Sequence, residues 1–280
     1  MTIFGGSWTQ DKLNILKGYL DAYTTALKDQ PFNLIYVDAF AGEGFWKPGS
    51  GYDRDDYGEF EGVLKGSAAI ALDVKAKPFD RLVFIEKDRE RSKSLHQLRS
   101  VHRGRDIQVL NEDANVALPR FCAGMGNYDR AVVFLDPFAA AVAWTTVEAI
   151  AFTEKIDCWI LFPVMAINRM LPISREPSPA LAERLDAVFG GREHWQGLYQ
   201  PSPQLSMFDN EQRQERASGG DRIAGLYRAR LESVFTRVAP TPRTLTNSRN
   251  APLFELFFGA GNPNGARIAV SIADHLLKHW

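Results

Sequence analysis

Four carboxylic acids stand where apolar runs of this chain stop. Asp38 closes Asn33-Leu34-Ile35-Tyr36-Val37-Asp38 and Glu86 closes Arg81-Leu82-Val83-Phe84-Ile85-Glu86. Asp113 follows Ile107-Gln108-Val109-Leu110, and Asp136 closes Ala131-Val132-Val133-Phe134-Leu135-Asp136. A charge at the end of a buried strand is costly unless it is paired or used. The carboxyl ends of strands are also where open α/β sheets bind their ligands. The first acid opens a turn with two glycines, Asp38-Ala39-Phe40-Ala41-Gly42-Glu43-Gly44. Glycine permits a positive φ and lets a ligand approach with no Cβ in the way. A plain tight turn would use the same residues.

The turn discriminates between ligand classes. A dinucleotide site presents free helix N–H groups to a pyrophosphate, and an acid at the strand end repels phosphate. The third glycine of G-x-G-x-x-G is missing, because position 47 is Lys. The acid suits a cation, and the cationic aminoacid-sulfonium end of S-adenosylmethionine (SAM) therefore ranks above NAD. Asp38, Gly42 and Gly44 are expected at the methionine end, Glu86 at the ribose hydroxyls and Asp113 at the adenine. Phe40, Lys87 and Ala114, beside them in the sequence, complete the candidate cofactor set, with Lys12 reaching the cofactor carboxylate from a leading helix. Glu86 would otherwise pair with Lys87 or Arg89, and Asp113 would otherwise cap the next helix; the cap and the adenine contact are compatible.

Asp136-Pro137-Phe138 is the candidate catalytic set. It is similar to the Asp/Asn-Pro-Pro-aromatic site of amino-methyltransferases, with one proline instead of two. There, a side-chain oxygen and a backbone carbonyl accept from the target NH₂, and an aromatic ring stacks on the base, a contact worth about 1–3 kcal/mol. The alternative is a strand ending in a Pro turn with Phe138 in the core.

The elements that must position these residues follow from periodicity. Leu13, Leu16, Leu20, Tyr23 and Leu27 predict an amphipathic helix over Asp11 to Lys28, capped by Asp11. Strands are expected at 33–38, 81–86, 107–110, 131–136 and 157–162. Helices are expected at 68–74 behind a Ser67 cap, at 90–98, from Asp113 to Phe121, and at 145–152. This alternation predicts a doubly wound, mainly parallel α/β sheet of the SAM-dependent methyltransferase (Rossmann-like) type. Later, the pattern predicts helices at 179–189, 222–238 and 264–278, the last with Ile268, Ile272 and Leu276 on one face. Residues 242–246 and 253–258 predict a C-terminal antiparallel hairpin. One domain over 1–280 is expected, with a leading helix in 1–30, a loop insertion at 45–66 near the cofactor turn, and an irregular insertion at 172–220. The first insertion, rich in aromatic residues, reads as a lid or as a loop packed statically on the sheet edge.

Bulk properties narrow the setting. The 280 residues are 45% hydrophobic with a formal net charge of −1, so no global basic field points to nucleic acid. The Lys/Arg-dense run from Arg81 to Arg105 reads as a solvated helix face or as a phosphate-tracking patch. Cys122 and Cys158 form no close pair, and the five histidines have no metal-ligand spacing with them, so no metal site is expected. No signal peptide is expected from the first residues, which lack a basic stretch followed by an apolar run, and no run is long and apolar enough to predict a membrane span. A reducing cytoplasm is the expected location.

The residues in order resemble the three-Cys-motif partner protein family (TcmP). The shared features are Lys12-Leu13-Asn14-Ile15-Leu16-Lys17-Gly18-Tyr19, the 37–44 turn, Lys65-Gly66-Ser67-Ala68, Phe84-Ile85-Glu86-Lys87-Asp88, Phe134-Leu135-Asp136-Pro137-Phe138 and the strand end at 159–163. The resemblance covers roughly residues 8–170. It implies a SAM-dependent methyltransferase fold and a partner protein bearing three cysteines. A more distant similarity is to ribosomal-RNA adenine-N6 methyltransferases, which share the leading Lys-bearing helix, the Asp-x-x-Ala-Gly-x-Gly turn and a long insertion, and carry Asp-Pro-Pro-Tyr where this chain has Asp136-Pro137-Phe138. The resemblances imply methyl transfer to an amino group, with a nucleobase of DNA or RNA as candidate acceptor, or a regulatory partner with a retained SAM site.

Overall fold

The computed structural model describes residues 7–46, 64–137, 142–201, 214–216 and 220–280. Five parallel strands form the centre of the main sheet: β1 (Asn33–Asp38), β2 (Arg81–Ile85), β3 (Ile107–Leu110), β4 (Asp129–Leu135) and β5 (Ile156–Phe162). They lie in the order β3-β2-β1-β4-β5. Three antiparallel strands extend the β5 side: β6 (Arg237–Val238), β7 (Arg243–Thr246) and β8 (Pro252–Ala260). β8 pairs with β5, and both β6 and β7 pair with β8. The predicted C-terminal hairpin is therefore present. The strand order reverses direction at β1 and β4, the switch point at which an open sheet leaves a crevice.

The side chains explain why the sheet is covered on both faces. Along β1, Leu34 and Tyr36 point to one face and Ile35 and Val37 to the other; all four are buried. β2, β4 and β5 repeat this, so they read as continuous apolar runs instead of alternating ones. Fully burying each such side chain is worth about 1.5–3 kcal/mol. One face carries α1 (Ser7–Ala26), α2 (Ser67–Leu72), α3 (Arg89–Val101) and α9 (Ala266–His279). The other carries α4 (Ala114–Ala123), α5 (Trp144–Ala151), α6 (Val164–Met170), α7 (Pro179–Phe189) and α8 (Gly220–Glu232).

Several boundaries differ from expectation. α1 starts four residues before Asp11, which lies inside the helix and caps nothing. Ser67 is the first residue of α2 and Gly66 occupies the cap position, because the Ser67 hydroxyl is engaged elsewhere. The predicted helix 222–238 ends at Glu232, and Arg237–Val238 joins the sheet. On α9 the buried residues are Ala266, Ala273 and Leu277; Ile268 is exposed, while Ile272 and Leu276 are only partly covered. The 172–220 stretch holds more than the one predicted helix: two 3₁₀ turns follow it, and Tyr199–Pro201 pairs with Gln214–Arg216. The insertion after the cofactor turn begins and ends as a short antiparallel pair, Phe45–Trp46 with Leu64–Lys65. Its lid reading rests on residues 47–63, outside those described.

Candidate functional site

The crevice forms around the last residue of β1. Asp38 is fully buried. Its Oδ1 accepts from the Phe40 amide at 3.2 Å, and its Oδ2 accepts a short hydrogen bond from the Ser67 hydroxyl. Burial pushes its carboxyl up to about 7, against the opposing pull of the Ser67 hydrogen bond, and the nearby charge of Asp136 adds to the rise. Ser67 is a site residue that sequence reasoning placed as a helix cap. The signal was present in Lys65-Gly66-Ser67-Ala68, but no spacing rule links it to a strand end 29 residues earlier.

Asp136 follows β4, the neighbour of β1, and its side chain is about a quarter exposed. Its Oδ2 accepts from the ammonium of Lys12, which is buried and also lies 5.0 Å from the Trp8 ring centroid. The leading helix therefore delivers its lysine to the candidate catalytic acid. α1 brings Lys12 to the end of β4, where the carboxylate it meets is Asp136. Pro137 is buried beside it. Phe138 lies outside the described residues.

The turn after β1 is tied down by its backbone. The Ala39 amide donates to Phe134 O, the Ala41 amide to Ile85 O and the Gly44 amide to Ala41 O. Gly42 (φ 59°) and Gly44 (φ 78°) both have the left-handed conformation that favours glycine. Their surroundings differ. Among the described residues, a Cβ on Gly42 would meet nothing within 4 Å, whereas one on Gly44 would stand 3.2 Å from the side chains of Leu95 and Leu98. Gly42 borders space that no described residue fills, and Gly44 packs against α3. Phe40 is half-buried against the apolar core on the α4–α8 face.

Glu86, buried one residue past β2, closes the other side of the turn. Its Oε2 accepts from the Gly42 amide at 3.0 Å and its Oε1 from the Asp88 amide at 2.8 Å; the Arg91 guanidinium lies 3.4 Å from Oε1. The cation at Glu86 is thus Arg91, the third residue of α3, and not Lys87 or Arg89. Three donors leave a carboxylate with about one further acceptor position. Asp113 caps α4 by accepting from the Asn115 amide at 2.9 Å, and it pairs with the exposed Lys87 at 3.0 Å. Lys87 is the main cause that holds its carboxyl below the usual range, with the Asn115 amide second. Ala114 is buried in the core. Two asparagines not singled out from the sequence brace this edge. Asn111 donates to the carbonyls of Glu86 and Lys87 at 2.8 and 3.0 Å, and Asn115 Oδ1 accepts from the Ala143 amide and the Thr146 hydroxyl.

The structure therefore brings Lys12, Asp38, Ser67 and Asp136 into one group, with the Gly42 turn and Glu86 beside it. Asp113 and Lys87 lie at the end of the next strand. A SAM molecule presents a cationic sulfonium, a zwitterionic aminoacid group, two ribose hydroxyls and an adenine. The clustered acids and the open space over Gly42 fit such a group, although Asp38 itself reaches that space only through the atoms it orients.

No family model matches this sequence, and no curated protein matches it. Among solved structures, protein LPL1258 from Legionella pneumophila str. Philadelphia 1, of the DUF519 family model, is similar with a TM-score of 0.52 at 12% identity, over 95% of this chain and 91% of that one. The N-terminal domain of EvdMO1 with SAH bound is similar with a TM-score of 0.41 at 12% identity, over 88% and 81% of the two chains. The bifunctional kinase-methyltransferase WbdD has a TM-score of 0.42 at 12% identity, over 93% of this chain and 43% of its own. The likeness to LPL1258 establishes a shared fold: a mainly parallel sheet between two helical layers, closed by antiparallel strands.

Proposed function

We propose that this chain binds SAM at the β1/β4 crevice and transfers its methyl group to an amino nitrogen, with a nucleobase of DNA or RNA as the acceptor class. The observation that carries the reading is the pair of carboxylates, Asp38 and Asp136, on adjacent strand ends at the switch point, bridged in charge by Lys12. SAM supplies an electrophilic methyl group on a cationic sulfur. The chain supplies orientation. Asp136 and the Pro137 carbonyl accept from the two amine hydrogens and so aim the nitrogen lone pair. No strong base is needed, because the amine sheds its proton after attack, and catalysis rests chiefly on proximity and alignment. The Lys12 ammonium holds one oxygen of Asp136, which leaves Oδ1 to face an acceptor. Glu86, through its remaining acceptor position, is assigned to the ribose and Asp113 to the adenine edge. Asp38 fixes Ser67 and the turn, and thereby the methionine end.

The test is calorimetry with S-adenosylhomocysteine together with transfer from labelled SAM to separate pools of DNA, RNA and protein. Saturable heat and label in a nucleic-acid pool support the reading; no heat overturns it.

A second reading has its own observation. Lys12 already occupies an Asp136 oxygen, which suits a regulatory subunit that keeps a SAM site and works with a partner bearing three cysteines. Transfer by the purified chain alone would favour the independent enzyme. Transfer only after co-expression with the cysteine-bearing protein would favour the two-component system. Two buried free cysteines, Cys122 and Cys158, support a reducing cytoplasmic setting. No described helix is long and apolar enough to cross a membrane.

A further inference from the structure

The basic run from Arg81 to Arg105 takes no part in the crevice chemistry, and its arrangement asks for a ligand. Between residues 81 and 108 eight Lys/Arg stand against four Asp/Glu, a local charge of +4 in a chain of net −1. Arg89, Lys93, His96 and Arg99 recur along α3 at spacings of four, three and three, with Arg103 four residues further on. Spacings of three and four place side chains on one side of a helix, and Arg89, Lys93, His96 and Arg99 are all exposed, while Leu95 and Leu98 are buried against the sheet. The stripe opens at its far end into a groove between α3 and the amino-terminal ends of β2 and β3, lined by His96, Arg99, Ser100, Arg103 and Gln108. β3 is the outer strand of the sheet on this side.

The cations differ in how they are used. Arg105 donates to the carbonyls of Leu72 and Phe79 and belongs to the fold. Arg81 neutralises Asp106 at 2.9 Å on the groove floor, and Lys93 pairs with Glu90. Arg89 and Arg99 form no ion pair among the described residues, and Arg103 touches only the Ser100 carbonyl through Nε. Three guanidinium groups thus line the stripe without countercharges. Placed at about 1.5 Å per residue, Arg89 and Arg99 are about 15 Å apart along α3. Arg89 stands three residues past Glu86, at the rim of the crevice, so the stripe leads from the site to the outer edge of the sheet.

We infer that this stripe and groove bind the phosphodiester backbone of the nucleic acid whose base enters the β1/β4 crevice. The inference rests on the nucleobase-acceptor reading above and deepens it by naming the surface that holds the strand. Guanidinium forks match phosphate oxygens in a bidentate way that an ammonium does not. Continuity with the crevice favours a strand over a separate acidic protein, and an unpaired segment is required, since an amino group on a base must leave the stack to be reached.

The experiment measures anisotropy of labelled single-stranded RNA and DNA 20-mers with the full chain, in the presence of S-adenosylhomocysteine, across a salt series. The triple variant R89Q/R99Q/R103Q is compared with R175Q/R184Q/R267Q, which removes the same charge from exposed positions on other elements. Each lost phosphate contact lowers the log–log salt slope by about 0.7 for a single strand, so the first variant should lose a slope of about 2 and bind about tenfold more weakly at low salt. The second should keep the wild-type slope, and both should keep the heat of S-adenosylhomocysteine binding. Equal losses in the two variants, no loss in the first, or equal competition by poly-glutamate would overturn the inference. Arginine-dependent nucleic-acid binding without any S-adenosylhomocysteine heat would leave the groove standing and sink the SAM reading. The RNA and DNA arms decide which polymer is preferred.

Discussion

Asp38 and Asp157 are two buried carboxylates under one helix, at opposite ends of the same sheet. Asp38 ends β1 at the carboxyl edge; Asp157 is the second residue of β5, at the amino edge. Each accepts from one hydroxyl, Ser67 in the first case and Tyr19 at 2.7 Å in the second. Burial pushes both up to about 7. Burial and a perturbed acidity are therefore no mark of a functional acid in this molecule. The difference lies in the company. Around Asp38 stand a second carboxylate, an ammonium and a glycine turn that borders open space. Around Asp157 stand Tyr19 and Tyr23, whose hydroxyls burial pushes well above their ordinary range, and a small cavity that Arg130 and Lys155 also line, with no second carboxylate and no positive-φ glycine among the described residues around it. Helix α1 serves both ends: it sends Lys12 to the carboxyl edge and, about 10 Å further along at 1.5 Å per residue, Tyr19 to the amino edge.

The largest expected effect separates the two ends outright. Asp136→Ala removes an acceptor that orients the amine and should lower methyl transfer by about 10²–10³-fold, the range for losing one preorganised contact at a reacting group. S-adenosylhomocysteine affinity should stay near wild type. Tyr19→Phe, at the other end of α1, should leave both quantities unchanged. A transfer rate that survives Asp136→Ala, or one that collapses in Tyr19→Phe, breaks the comparison.

Next in size are the stability costs. Lys12→Met strands Asp136 without its countercharge and should cost about 3 kcal/mol, the low end for a broken buried pair because Asp136 keeps some contact with water. Tyr19→Phe leaves Asp157 without its donor and should cost about 1–3 kcal/mol. Urea titrations read both. A Lys12→Met protein as stable as wild type would mean that the ion pair contributes no net stability.

The acidities give a smaller effect that is visible against pH. A carboxyl raised from its unfolded value to about 7 keeps its proton in the folded state where the unfolded chain has lost it. The folded state then binds more protons, and stability falls as pH rises. Each acid's contribution is full below about pH 4 and gone above about pH 7. Asp157→Asn should flatten part of this slope and leave cofactor binding intact. Asp38→Asn should flatten part of it and weaken S-adenosylhomocysteine binding. If the two variants behave alike in calorimetry, the distinction between the two ends of the sheet fails.

The legibility of these features in the sequence follows their range. The parallel strands were readable because both faces of each are buried, which leaves apolar runs such as Leu34 to Val37 that end at an acid. The β1 turn was readable because Gly42 and Gly44 are required by positive φ. The Arg91–Glu86 contact was missed because several cations stand near Glu86 and only the packing of α3 selects one. The Ser67–Asp38 and Lys12–Asp136 contacts join elements 29 and 124 residues apart, and no local period encodes a crossing of helix over strand. The start of α1 was missed because Trp8 and Thr9 follow no apolar repeat strong enough to outweigh the cap signal of Asp11.

The smallest expected effect tests the two glycines against each other. Both take a positive φ, so replacement by Ala strains the backbone at each by about 1 kcal/mol. At Gly44 a further cost arises, because the new methyl would press on Leu95 and Leu98 at 3.2 Å, tighter than ordinary contact, and those side chains must give way to admit it. At Gly42 none of the described residues opposes the methyl, so a bound cofactor is the obstacle it would meet. Gly44→Ala should therefore lose more stability than Gly42→Ala, while Gly42→Ala should lose more S-adenosylhomocysteine affinity. The Gly42 amide also donates to Glu86, so an Ala there that kept φ positive would still preserve the carboxylate's position. Denaturant melts and calorimetry on the two variants decide the matter. Equal affinity losses, or a greater loss at Gly44, would mean that the open space over Gly42 is not where the cofactor lies.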